Sequence, residues 1–185
     1  MMTIVRQAHK WIALILGIQL TLWMLSGLGM AILPHSKVLG DHRMVERAAP
    51  APLLNAATGQ IGLPAAVHGT DVQQVRLRIL NGLVIYDTVT SDGSVLSDAV
   101  TGAPVIVDQG LATQIALADY AGPGDVVSVR HMLETTLEFR NHQAPAWRID
   151  FDDPERTTIY VSGYNGQILE RRNHYWRAFD IFWML

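Results

Sequence analysis

From Trp11 to Leu33 the chain carries no Asp, Glu, Lys or Arg and reads WIALILGIQLTLWMLSGLGMAIL, with Arg6, His9 and Lys10 before it and Pro34 after it. At about 1.5 Å of rise per residue, a helix over this stretch reaches roughly 35 Å, enough to cross a hydrocarbon core of about 30 Å with some tilt. A secretory signal would also join a basic start to an apolar middle, and Gly29-Met30-Ala31 offers a small-residue cleavage site. Signal cores, however, run about 7 to 15 residues. The stretch is therefore predicted to be a retained transmembrane helix over 11–33, preceded by an N-terminal tail over 1–10, and the bilayer is its first expected partner.

The rest of the 185 residues narrows the field further. With 17 acidic against 14 basic side chains the formal net charge is −3, which gives no basic field for phosphate and argues against nucleic acid as a partner. The absence of cysteine excludes disulfides, thiolate catalysis and Cys-ligated zinc or iron–sulfur centres. The end of the chain, His174-Tyr-Trp-Arg-Ala-Phe-Asp-Ile-Phe-Trp-Met-Leu185, moves from interfacial to apolar residues. Residues 173–185 are thus expected to begin a second transmembrane helix, the other option being a tail that dips into the interface beside the first. Charge does not settle orientation: Arg6 and Lys10 precede the span, while Lys37, Arg43 and Arg47, and later Arg171, Arg172 and Arg177, lie on the other side.

Between the two apolar segments, 34–52 reads as a linker ending in the stiff spacer AAPAP (48–52). A first unit is expected over 53–107: a broken helix over 53–67, then three strands. Val72 to Leu80 alternates, predicting a half-buried strand with Val75, Leu77 and Ile79 on one face and Gln74, Arg76 and Arg78 on the other. Asn81-Gly82 signals a type I′ hairpin to a strand from Leu83 to Val89, and Ser91-Asp92-Gly93 turns into Ser94 to Asp98. A second unit is expected over 108–172. It opens with a helix from Asp108 to Tyr120 whose face is Leu111, Ile115 and Ala118, stopped by Gly122-Pro123-Gly124. A strand at Val126 to Val129, a strand at Trp147 to Phe151 and a return at Thr157 to Ser162 follow. Asp98-Ala-Val-Thr-Gly102 and Ser162-Gly-Tyr-Asn-Gly166 then recur after each third strand. The fold class expected is α+β, with an N-terminal transmembrane helix followed by two helix plus antiparallel β-meander units that share a core or lean on each other.

The chain resembles the bacterial PepSY-associated transmembrane proteins. His9-Lys10-Trp11, Leu16-Gly17 and Ser26-Gly27 are similar to that family's H-x-W, L-G and T/S-G pattern, and Pro145 to Phe151, Thr158-Ile-Tyr-Val161 and Asn165-Gly-Gln-Ile168 to its domain signature. The first unit departs from it, with Leu96-Ser97 where the second has Tyr160-Val161. The resemblance implies PepSY-like units held in the periplasm by an inner-membrane anchor, with a binding or regulatory role toward a membrane partner. Some relatives look like haem-binding reductases of ferric chelates, which implies as the alternative a haem b electron-transfer component of iron uptake.

Gln19, Ser26 and Gly27 share one side of the first helix and are expected to meet another helix, because polar groups in lipid seek protein partners. His9 and His174 are the candidate haem ligands, although both lie outside the apolar run and each would need an imidazole from elsewhere. His35, His42, His68, His131 and His142 show no metal-ligand spacing. Asp150, Asp152, Asp153 and Glu155 lack the calcium-loop pattern and read as a solvated turn. No catalytic residue is assigned, since no serine has a nucleophile context. A groove between the units near Trp147, Tyr160 and Tyr164 is the expected contact surface.

Overall fold

A computed structural model describes residues 2–46, 71–91 and 93–184. The expected helix over 53–67, the AAPAP spacer, Arg47, His68 and Asp92 lie outside the described residues. The elements run α1 (Met2–Ile32), α2 (His35–Leu39), a 3-10 turn (Asp41–Arg43), β1 (Val72–Leu80), β2 (Leu83–Thr90), β3 (Gly93–Asp98) and β4 (Pro104–Val105). They continue with α3 (Gln109–Asp119), β5 (Val126–Met132), a 3-10 turn (Leu137–Phe139), β6 (Ala146–Phe151), β7 (Thr158–Ser162), β8 (Ile168–Arg172) and α4 (His174–Met184). The fold is α+β: a long apolar N-terminal helix and two four-stranded antiparallel sheets, ordered β1-β2-β3-β4 and β5-β6-β7-β8. Two compact units result, Met1–His42 with Asn173–Leu185, and Arg43–Arg172.

In the first unit α1 begins at Met2 rather than at Trp11, because the basic tail holds no Pro or Gly to stop propagation. Among the described residues it is the one helix long and apolar enough to cross a membrane. Pro34 precedes α2, and Gly40, at φ 77°, ends it. Asn173 Nδ2 donates to the Lys37 carbonyl at 2.7 Å, and the Lys37 ammonium lies 5.1 Å from the centre of the Tyr175 ring. These contacts hold the start of α4 beside α2, while its end reaches back along α1.

In the second unit the two sheets and α3 share one core: Leu80, Ile85 and Leu96 from the first sheet, Ala112, Ile115 and Ala116 from α3, and Ile149, Phe151, Ile159 and Val161 from the second. Asn81 and Gly82 both take positive φ, as a type I′ turn requires. That turn sets Leu80 opposite Leu83 and Arg78 opposite Ile85. Leu80 and Arg78 thus face the core side, while Val75 and Ile79 of the apolar face are exposed, as are Gln74 and Arg76. Arg78 tolerates the core side because Asp87 accepts its Nε at 3.1 Å. The buried face of α3 is Ala112, Ile115, Ala116 and Asp119, with Ala118 exposed rather than inward, and Asp108 caps its start by accepting the Leu111 N–H at 2.8 Å.

The repeat is carried by hydrogen bonds. The Gly102 N–H donates to the Asp98 carbonyl at 2.9 Å and the Gly166 N–H to that of Ser162 at 3.0 Å. The Asp98 N–H donates to Ala103 and the Ser162 N–H to Gln167, each at 2.8 Å. Both glycines have positive φ, 73° and 70°. Each turn leads into a fourth strand, β4 or β8, where three strands per unit were expected. The sheets differ in their first hairpin: two residues join β1 to β2, whereas a long loop carrying Phe139 joins β5 to β6.

Candidate functional site

The polar side of α1 does meet a helix. Ser26 is buried and its hydroxyl donates to the Phe182 carbonyl on α4; Gln19, further along, is half-buried. Gly27 faces open space, and the close approach falls instead at Gly29, where an added Cβ would lie 2.7 Å from the Phe182 ring. Gly29→Leu is expected to push α4 off α1 and to speed amide exchange over 174–184 by about tenfold or more. Parent-like protection in deuterium exchange would exclude that contact.

His9 and His174 are both exposed. His9 lies near the start of α1, while α4 begins beside α2, past the far end of α1. Some 25 residues of helix, roughly 37 Å, separate those two levels, so the two imidazoles cannot serve one iron. Among the described residues of this unit, His35 and His42 also lie past the far end of α1, away from His9.

Tyr160, expected at the contact surface, is fully buried. The β5–β6 loop covers the outer face of the second sheet and sets Phe139 against the Tyr160 ring, 4.9 Å between centres. The Tyr160 hydroxyl donates to Glu138 at 2.7 Å and accepts from Arg148 at 3.1 Å. Burial, and then the hydrogen bond to the Glu138 carboxylate, push its phenol well above the ordinary value. Asp150 joins this network, accepting from Arg130 at 2.9 Å, Arg148 at 2.8 Å and Thr158 at 2.8 Å. Trp147 is half-buried, its indole N–H donating to Val107 at 2.8 Å and its ring stacked on His131. Of the aromatic trio only Tyr164 is exposed.

Of the acidic side chains in the turn after β6, only Asp152 is exposed as a solvated turn requires. Asp153 and Glu155 are buried. Asp153 accepts from the Tyr120 hydroxyl at 2.9 Å, the Thr157 N–H at 2.8 Å and the Thr157 hydroxyl at 2.6 Å, and Glu155 pairs with Arg43 at 3.1 Å. Gly124 closes over this knot: a Cβ there would lie 2.6 Å from the Asp153 nitrogen.

Among the described residues, two clefts of the second unit bear on binding. The larger, about 980 Å³, runs between the β1–β2 turn, α3 and the start of β8. Its floor is Leu80, Ile115 and Ile168, with Arg78 and Arg171 at its sides. The smaller, about 480 Å³, opens between the first sheet, the β5–β6 loop and the β7–β8 turn, and Tyr164 lines it. Trp147 and Tyr160 line neither. Both volumes fall in the range of small-molecule sites, and an apolar floor flanked by a few polar groups suits binding. Comparison with protein-family models, curated proteins and solved structures finds no match to this chain.

Proposed function

We propose that this chain is a membrane-anchored binding or regulatory protein of PepSY-like layout, held in a bacterial inner membrane with its two sheets on the periplasmic side and acting on a partner in the same membrane. The observation that carries the reading is α1: its apolar side chains, from Trp11 to Ile32, are exposed around the helix rather than packed, and a bilayer is the solvent that removes this cost. Against α1, α4 supports a membrane partner. Phe182 lies at the level of Ser26 to Gly29, roughly 6 to 10 Å below Leu33 along the helix, so the exposed Ile181, Trp183 and Met184 sit at hydrocarbon depth. The paired turns at 98–102 and 162–166 support the two-unit layout, and the larger cleft offers the binding surface. Taken together, these features favour binding over electron transfer.

In alkaline carbonate the full chain is expected to stay in the pellet with its N-terminus intact. Leu22→Arg, which puts a charge at mid-span at a cost of about 3 kcal/mol, is expected to shift much of it to the supernatant. A mature N-terminus near Pro34, or a parent chain released by carbonate, would overturn the anchor. Protease applied from the periplasmic side is expected to cut within 71–172, and protection there would overturn the orientation.

A further inference from the structure

The smaller cleft differs in chemistry from the larger one. Four of the side chains that line it are carboxamides, Asn141, Gln143, Asn165 and Gln167. Each carboxamide carries both donors and an acceptor. Asn165 spends its oxygen on the Gln167 N–H, at 3.0 Å, and keeps its NH2. Among the described residues, the side chains of Asn141, Gln143 and Gln167 have no protein hydrogen bond and are exposed to a ligand.

Charge narrows the ligand class. The wall supplied by the first sheet carries Arg76 and Asp87 together. Asp87 is buried and already accepts from Arg78 at 3.1 Å and from the Ser94 hydroxyl. An anion would face this carboxylate, and a cation would face the Arg76 guanidinium. On the loop side, His142 is turned toward Glu170, at 3.1 Å. A neutral ligand that presents many donors and acceptors at short spacing suits such walls. Tyr164, 45% exposed on the rim, adds a flat apolar face, which suits the C–H face of a pyranose.

The turn between β7 and β8, one wall of the cleft, is held in place. The Ser162 hydroxyl accepts the Tyr164 and Asn165 N–H groups at 3.2 and 3.4 Å, Gly166 turns the chain at φ 70°, and the Arg78 guanidinium donates to the Asn165 carbonyl, fixing this turn to the first sheet. A ligand therefore meets a backbone turn already in place and loses less to its ordering.

We infer that the cleft between Arg76, Asp87, the Asn141–Gln143 loop and the Tyr164–Gln167 turn binds a neutral saccharide, its hydroxyls bridged by the carboxamides and one ring face on Tyr164. The inference is separate from the larger cleft and does not depend on α1 lying in a membrane.

The test is titration of the 15N-labelled full chain, in a phosphocholine rather than a glycoside detergent, with cellobiose and with chitobiose. The side-chain NH2 signals of Asn141, Gln143, Asn165 and Gln167 are expected to move saturably with at least one of them, with Kd on the order of 1 mM. Tyr164→Ala and Gln143→Ala are each expected to weaken binding by about tenfold while the melting midpoint stays at the parent value. Should Tyr164→Ala lower that midpoint, the exposed Asn141→Ala takes its place. No saturable shift with either sugar, an affinity unchanged in the folded variants, or equal saturation by an uncharged blocked tetra-alanine would overturn the proposal.

Discussion

Arg171→Met is expected to cost about 3–5 kcal/mol of folding stability, because it removes the bidentate donor of a buried carboxylate. Arg171 Nε and Nη2 donate to the two oxygens of Asp119 at 2.5 and 2.7 Å, a bidentate fork that holds β8 to the end of α3. The pair is unequally buried: the Asp119 side chain is 1% exposed and that of Arg171 23%. Removing the arginine takes the paired donors from a charge that is almost wholly buried. Removing the aspartate leaves a guanidinium that is partly exposed at the larger cleft and can be solvated there. Asp119→Asn is accordingly expected to cost about 1–2 kcal/mol, less than the arginine variant. The loss also reaches the start of the unit, since the Asp119 carbonyl accepts the Val45 N–H at 2.8 Å and Met44 bridges to Tyr120. Urea midpoints of the solubilised chain read both variants. Arg171→Met with Asp119→Leu is expected to recover at least half of the larger loss, because an apolar pair pays no desolvation. Equal losses in the two single variants would contradict this asymmetry.

The elements that proved legible are those whose signals are local. Asn81-Gly82 fixes a hairpin through backbone sterics alone, Asp108 caps α3 with its own side chain, and the glycines of the two repeated turns are needed at positive φ. What failed depends on distant partners. β4 is two residues long, and β8 has no alternation because a register shift interrupts its pairing with β7. Apolar alternation in β1 marks two faces without saying which one meets the core, and Asp87 across the sheet neutralises Arg78 on the core side. Tyr160 read as a surface aromatic because nothing in its own strand announces that the loop bearing Glu138 and Phe139 folds over it. Ser26 was legible as a helix contact, since a hydroxyl in an apolar run needs a partner. Gly27 and Gly29 differ only in where Phe182 arrives, and α4 decides that.

The same lesson applies to the acidic turn, where Asp153 carries the second large effect. Asp153→Ala is expected to cost about 3 kcal/mol, leaving the Thr157 N–H, the Thr157 hydroxyl and the Tyr120 hydroxyl without their acceptor. Its charge can be separated from its shape by Asp153→Asn. Burial alone would raise the Asp153 carboxyl, but the Thr157 hydroxyl and N–H, the Tyr120 hydroxyl and the Arg43 charge together outweigh it, so its pKa in the fold lies below the ordinary 3.8. A group lowered by folding adds stability above its unfolded pKa and loses it as pH falls through the folded value. The parent is thus expected to weaken from about pH 4 downward, and Asp153→Asn to show a shallower fall, with Asp98 and Asp150, also lowered, supplying the remainder. Tyr120 gives the opposite limb. Burial raises its phenol to about 12, with the hydrogen bond to Asp153 and that carboxylate's charge adding to the rise. A group raised by folding stabilises below its unfolded pKa, near 10, and that stability is lost as pH climbs toward 12. Without the Asp153 charge the Tyr120 phenolate is expected to form at lower pH, which absorbance at about 295 nm reads directly against a Tyr120→Phe control. An acid limb as steep as the parent's, with phenolate formation unmoved, would mean that the carboxylate in this knot is held for shape alone and not for charge.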